Sequence, residues 1–223
     1  MNASAFNQRA RTEEQKQHRR DSILDAAQVH FVGVGFEKFS MAVVSKLVGV
    51  SKGTLYLYFS SREEILLALC LAKLHGWSTK FIQTSPLWIS DTAFVEHFYQ
   101  TTASDNALVR LMSRLDSVIE HNVSLEVYVD AKRDISELLS NVAQSLAQRR
   151  ELTVSQSFDA VRSLGALFLG TVQGDLGPRF RVSELPEDVQ RLMSEFSSHQ
   201  IFVTNGCRII TGIRSEQKSS QKK

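Results

Sequence analysis

Proline and cysteine are scarce in this chain of 223 residues. Only 3 prolines interrupt it, and 11 glycines are spread thinly, which leaves room for long helices and predicts an all-α fold. The 2 cysteines, Cys70 and Cys207, stand far apart in apolar helical contexts, so a disulfide framework is excluded. Cys70 would need a nearby base to act as a thiol sensor. No apolar run approaches the roughly 18 residues of a membrane span, the longest lying near 165–172, and the polar N-terminus lacks a signal-peptide core. These absences predict a cytoplasmic protein with no membrane partner. There is no Gly-rich phosphate loop, no C-x-x-C, no H-E-x-x-H and no nucleophile motif, and the 6 histidines are scattered. The adjacent pairs Glu96-His97 and Glu120-His121 point to different helix faces. No catalytic residue, metal site or cofactor is expected.

The net charge of +2 conceals an uneven distribution: +4 over residues 1–80, −5 over 81–212 and +3 over 213–223. A basic N-terminal unit on a mildly acidic body suits a polyanion held at one end. The length allows a small unit plus a larger one. Residues 1–18, with Arg9, Arg11 and Lys16 and no apolar periodicity, read as a flexible arm, and 213–223 as a disordered basic tail. From Arg19, Ile23, Ala27 and Phe31 recur at helical spacing until Gly35.

The most informative stretch is Ser40 to Phe59, SMAVVSKLVGVSKGTLYLYF. Met41, Val44, Ser45 and Val48 share one side of a short helix, Gly49 allows a tight turn, and Ser51 stands at the N-cap of a second helix. Leu55 and Phe59 anchor that second helix inward while Lys52, Thr54, Tyr56 and Tyr58 face out. A helix presented in this way fits the DNA major groove. Lys52 can neutralise a phosphate or reach guanine acceptors, Thr54 can bond a phosphate or base edge, and the two tyrosines offer hydroxyls to phosphates. Leu57 offers an apolar contact such as a thymine methyl. Ser40 and Ser51 lend hydroxyls at helix starts, and Arg62 begins the next helix near the same DNA backbone.

Residues from about 19 to 66, with GVSKGTLYLYF followed by a Ser-Arg-Glu-Glu helix start, resemble the DNA-binding domain of the TetR/AcrR family of transcriptional regulators. Ser45 and Val48 stand where that family commonly has alanines, and Leu57 where it has a polar or basic side chain. The resemblance implies an N-terminal three-helix DNA-binding domain (19–60) joined through a connector helix to a larger helical ligand-binding and dimerisation domain (61–212). It also implies a homodimer that reads a pseudo-palindromic operator in double-stranded DNA.

The connector should run from Ser61 to about Phe81, capped by Ser60 or Ser61, with apolar stripes on two faces. Beyond a break at 84–90, further helices are expected over Asp91–Thr102, Asn106–His121, from Ser124 towards Arg150, from Ser155 or Ser157 through Val172, and over Val189–Gly212. The clearest turn lies between, at Gly174–Pro178. Trp77, Phe81, Trp88, Phe94, Phe98, Tyr99, Met112, Tyr128 and Phe168 are candidates to line an apolar pocket for an unknown small-molecule effector, with Arg110, His121 or Asn122 as polar anchors. Gly165, Phe168, Val172, Leu192, Phe196 and Val203 are candidates for a four-helix dimer face. The function expected is a dimeric repressor released from its operator by a small apolar or aromatic ligand. The alternatives are an activator of the same fold, or a helical small-molecule-binding protein or enzyme without DNA function.

Overall fold

A computed structural model of the chain describes residues 3–85, 90–172, 182–195 and 197–220. Among the described residues ten α-helices follow in order: α1 Ala3–Val34, α2 Met41–Val48, α3 Lys52–Tyr56, α4 Arg62–Thr84, α5 Asp91–Ala103, α6 Asn106–Arg114, α7 Leu125–Arg150, α8 Val154–Val172, α9 Glu187–Glu195 and α10 Ser198–Ser220. No strand occurs among the described residues, so the all-α expectation holds.

The stretch expected as a flexible arm is helical from Ala3 and continuous with α1. Its Ala, Gln, Glu, Lys and Arg residues are good helix formers, and Lys16–Glu13 and Gln17–Asp21 at 2.8 Å each tie neighbouring turns together. Likewise the C-terminal stretch continues α10, where Arg214 reaches Asp91 at 3.3 Å and Gln156 donates to the Ile213 carbonyl at 3.1 Å. The helix expected over 189–212 is two helices, because Ser197 caps the second: its hydroxyl accepts from Gln200 N at 3.3 Å and Ser198 Oγ donates to the Thr171 carbonyl. The Gly174–Pro178 turn lies outside the described residues.

The helix expected over Asn106–His121 departs from α geometry after Arg114, passing through a π turn over Leu115–Ile119 and a 3-10 turn over Glu120–Asn122. Carbonyls released by that distortion are taken up locally: His121 Nδ1 donates to Asp116 O and Asn122 Nδ2 to Val118 O, each at 2.7 Å. Lys132 of α7 lies 2.8 Å from the buried Glu120 carboxylate and holds this segment against the body.

Everything is built on α4. Ser61 caps it by accepting from Glu64 N at 3.1 Å, Glu63 and Glu64 favour its first turn, and its end is capped from α7, where Arg149 Nη1 donates to Ile82 O at 2.7 Å and Ser85 O at 3.0 Å. By length and composition α4 could cross a membrane, with mean hydropathy of 1.3 over an 18-residue window, which is more apolar than the sequence reading allowed. Its apolar side chains instead serve two bodies. Ile65, Leu66 and Leu69 join Ile23, Phe31 and Phe59 beneath α1–α3, and Leu74, Trp77 and Phe81 enter the bundle of α5–α8 and α10. One continuous core results.

Candidate nucleic-acid interface and interior cavity

Gly49, at φ 75°, turns α2 into α3, a left-handed conformation that a side chain would strain. Val50 N bonds Ser45 O at 3.0 Å, and Ser51 Oγ caps α3 by accepting from Thr54 N at 3.0 Å. Leu55 and Phe59 are fully buried. This anchoring leaves Lys52 and Gly53 exposed, Tyr56 at 52% and Leu57 at 84%. Thr54 is half-buried and its hydroxyl is shared with Ser51 at 2.9 Å, so the two act as one polar unit at the start of the helix. Ser45, standing where an alanine was expected, is buried, with its hydroxyl returned to Ala42 O at 3.0 Å.

Ser40 holds the N-cap position of α2 without a side-chain cap bond, and its N–H donates to His30 Nε2 at 3.2 Å. Tyr58, half-buried, borders a surface recess with Lys16, His18 and Arg19 of α1. That placement was not visible in the sequence, because it depends on α1 continuing past residue 19 toward its N-terminus. Arg20 was also missed: its guanidinium lies 4.2 Å over the Phe59 ring and donates to Tyr58 O at 3.3 Å, fixing the end of the reading segment. Arg62 turns back over the loop between α1 and α2, 4.9 Å over Phe36 and 2.8 Å from Glu63, so its guanidinium is already engaged.

In the body, four of the candidate pocket residues, Trp77, Phe98, Met112 and Phe168, converge on an apolar cavity of about 60 Å³. Thr102 is the polar member of its wall, but its hydroxyl accepts from Trp77 Nε1 at 3.0 Å and donates to Phe98 O at 2.7 Å. Phe81, Phe94 and Tyr99 belong to the ring cluster around it: Trp77 stacks on Phe81 at 5.3 Å and Tyr99 meets Phe168 at 5.6 Å. Phe202 of α10 completes this cluster against Phe98 at 5.9 Å.

The polar anchors lie elsewhere. Arg110 is exposed and borders a recess beside Val32 of α1, and His121 and Asn122 are spent on the distorted turns. Tyr128 is on the surface, 36% exposed, under Lys132. For His121 and Asn122 the departure from α geometry after Arg114 changes the face presented, whereas Arg110 lies before it, on the exposed side of regular α6 while Leu108 and Leu111 face inward. Trp88 lies outside the described residues.

Among the dimer-face candidates, Phe168 and Val172 are buried within the protomer and Gly165 lines the cavity. Val203 packs against the core and Leu192 is 54% exposed. Phe196 is outside the described residues. The outward small residues of α8 are Ala166 and Gly170. Among the described residues no group of three or more His, Cys, Asp or Glu side chains could hold a metal ion. Burial pushes the Cys70 thiol up to about 12, which takes it out of consideration as a thiolate sensor.

Residues 23–69 match the family described as bacterial regulatory proteins, tetR family, and residues 72–201 match the tetracyclin repressor-like C-terminal domain. The chain belongs to the TetR family. It is a transcriptional regulator of that family, built to bind DNA. An uncharacterized HTH-type transcriptional regulator, YfiR of Bacillus subtilis, is 46% identical over 54 residues, spanning 24% of this chain and 26% of that protein. A TetR transcriptional regulator from Rhodococcus superposes with a TM-score of 0.55 at 20% identity, over 82% of this chain and 97% of the other. A TetR-family repressor, FadR of Thermus thermophilus, solved in complex with lauroyl-CoA, gives 0.54 at 15% identity over 86% and 93%. At these identities the TetR fold is what is shared.

Proposed function

We propose that this TetR-family regulator is a cytoplasmic homodimeric repressor, released from a pseudo-palindromic operator by a small apolar or aromatic ligand. Residues 19–60 form the DNA-binding unit and 61–212 the ligand-binding and dimerisation unit. The carrying observation is the division of α3 and the turn after it: Leu55 and Phe59 are fully buried while Lys52, Tyr56 and Leu57 stand on the surface. Lys52 and Tyr56 then hold phosphates, Ser40, Ser51, Thr54 and Tyr58 add polar contacts, and Leu57 meets a thymine methyl.

Two such helices on a two-fold dimer match successive major grooves only at a separation of about 34 Å or a multiple. The outward faces of α8 and α10, which pack against each other, supply the surface for pairing. Release follows from ligand at the aromatic cluster. The cavity of about 60 Å³ is far below the roughly 300–1,000 Å³ of a ligand pocket, so the ligand selects an opened arrangement of α4 against α5, α6 and α8. Opening pivots α4, and α4 carries the DNA-binding unit. The coupling is reciprocal: operator DNA weakens the ligand by the factor by which the ligand weakens DNA.

Selection of bound sites from random duplex DNA tests the reading, with Lys52→Ala, Tyr56→Ala as the paired variant. The expected result is an inverted repeat enriched by the natural chain and lost by the folded variant. Recovery of no site, or equal binding by both proteins, rejects it.

A further inference from the structure

We infer that the cleft between α1 and the α4–α6 face is a second small-molecule site, separate from the interior cavity and shaped for an amphipathic organic anion, a carboxylate or sulfonate carried on an apolar body. The cleft has a volume of about 620 Å³, within the roughly 300–1,000 Å³ of small-molecule sites and ten times the interior cavity. Gln28 and Val32 of α1 form one wall, Lys73, Gly76 and Lys80 of α4 the floor, and Asp105 with the first turn of α6 the other wall.

Its charge selects the sign of the occupant. Lys73 is neutralised by Asp105 at 2.9 Å. Lys80 donates to Ser104 Oγ at 3.1 Å, and no carboxylate among the described residues lies within ion-pair distance of it. Beyond Val32 and Asn106 a smaller recess of about 140 Å³ leads to the Arg110 guanidinium. The seam therefore has a cation at each end and apolar Val32 and Ala107 between.

Gly76 makes the floor. Glycine inside a helix is less favourable than alanine. Neither backbone nor packing demands it here: its φ is not positive, and nothing lies within 4 Å of where a Cβ would stand. Its consequence is the depression that keeps the cleft open. Trp77 borders both this cleft and the interior cavity, so an occupant rests on a wall common to the two sites.

The test is fluorescence titration of the full-length protein with anilinonaphthalene sulfonate, an apolar ring system bearing one anion. The natural chain should give a saturable enhancement. Gly76→Met, which plugs the floor, and Lys80→Glu, which inverts the charge, should each weaken it at least about tenfold, with thermal unfolding confirming that both remain folded. Lys46→Glu on α2, the same charge change far from the cleft, should leave it unaltered. Absence of saturable binding by the natural chain, or equal affinity in folded Gly76→Met or Lys80→Glu, overturns the assignment. The measurement uses no DNA, so its outcome is independent of operator recognition.

Discussion

Arg62 lies over the ring of Phe36, its guanidinium carbon 4.9 Å from the centroid, while Arg114 approaches the same ring at 6.0 Å. Phe36 belongs to the loop between α1 and α2, and Arg114 ends α6. The first residue of the connector and the last of α6 thus grip one aromatic ring of the DNA-binding unit. Arg114 also reaches Glu37 at 3.6 Å, although that pair is exposed and adds little.

Arg62→Met separates this gripping role from a phosphate contact. It keeps the apolar stem and removes the charge, so the stacking loss should lower stability by about 0.5–1 kcal/mol. A phosphate contact would also reduce the slope of log affinity against log salt by about 1. The expected outcome is a small fall in unfolding temperature with an unchanged salt slope for bound duplex DNA. A reduced slope would return Arg62 to the DNA interface.

Leu55 and Leu57 are two residues apart and should behave oppositely. Leu55 is fully buried, so Leu55→Ala should cost about 2–5 kcal/mol and impair folding of the DNA-binding unit. Leu57 is 84% exposed, so Leu57→Ala should leave unfolding within about 0.5 kcal/mol of the natural chain. Its effect should appear in selected duplex sites as relaxed preference at one thymine position. Paired denaturant melts and site selection check both statements.

That contrast shows what was legible in the sequence. The reading segment is local: cap, turn and anchors lie within about twenty residues, and the spacing of Ser51, Leu55 and Phe59 gives the exposed face directly. The dimer and pocket candidates depend on how distant helices rotate against each other. Phe168 has the same apolar character whether it faces a partner or Tyr99, and only the packing of α8 against α5, α7 and α10 decides it. His121 and Asn122 lie away from the cavity because nothing in the periodicity reveals the π turn after Arg114, whereas Arg110, in regular α6 before that turn, sits on its exposed side while Leu108 and Leu111 face inward. Gly206 escaped notice because its role is a close approach to helices more than forty residues away.

Cys70 and Cys207 should react at very different rates. Cys70 is fully buried with its thiol pushed up to about 12, whereas Cys207 is half-buried with Sγ 3.6 Å from Thr92 Oγ1. A disulfide reagent at pH 8 should titrate one thiol quickly and the other only as the protein unfolds, and Cys207→Ser should remove the fast phase. A fast phase that survives Cys207→Ser would show an opening of α4 that exposes Cys70.

Acid should weaken the fold through His97. It stacks on Phe81 at 5.3 Å, and burial, with the Lys80 charge adding to it, holds its pKa below the ordinary value of about 6.5. A depressed histidine pKa means the unfolded chain binds the proton more readily. The contribution is therefore fully present above about pH 6.5 and is lost as pH falls through the folded value. Glu96 adds a second loss further down, since its bond to His199 holds its carboxyl below the usual range. Unfolding temperature followed from pH 8 to 2.5 should fall in two stages. His97→Phe should flatten the upper stage and Glu96→Gln the lower, and an unchanged upper stage in His97→Phe would assign it to another histidine.

Gly206 sets how closely α10 approaches α5 and α8. A Cβ there would stand 2.5 Å from Val95 Cγ1 and 3.1 Å from Leu164 Cδ2. Two effects oppose each other in Gly206→Ala. Alanine gains about 1 kcal/mol of helix propensity over glycine, while overpacking a well-filled core costs about 1–3 kcal/mol. Val95 is β-branched and fully buried on α5, so its methyl cannot turn aside and the overpacking term prevails. Gly206→Ala should therefore lower stability by about 1 kcal/mol, whereas Gly212→Ala on the same helix, where nothing lies within 4 Å of the new methyl, should raise it. Removing the obstructing methyls should relieve the clash, so Gly206→Ala, Val95→Ala should be less destabilised than its two single variants added together. Additive losses in denaturant melts would mean that α10 shifts away from Val95 instead of pressing on it.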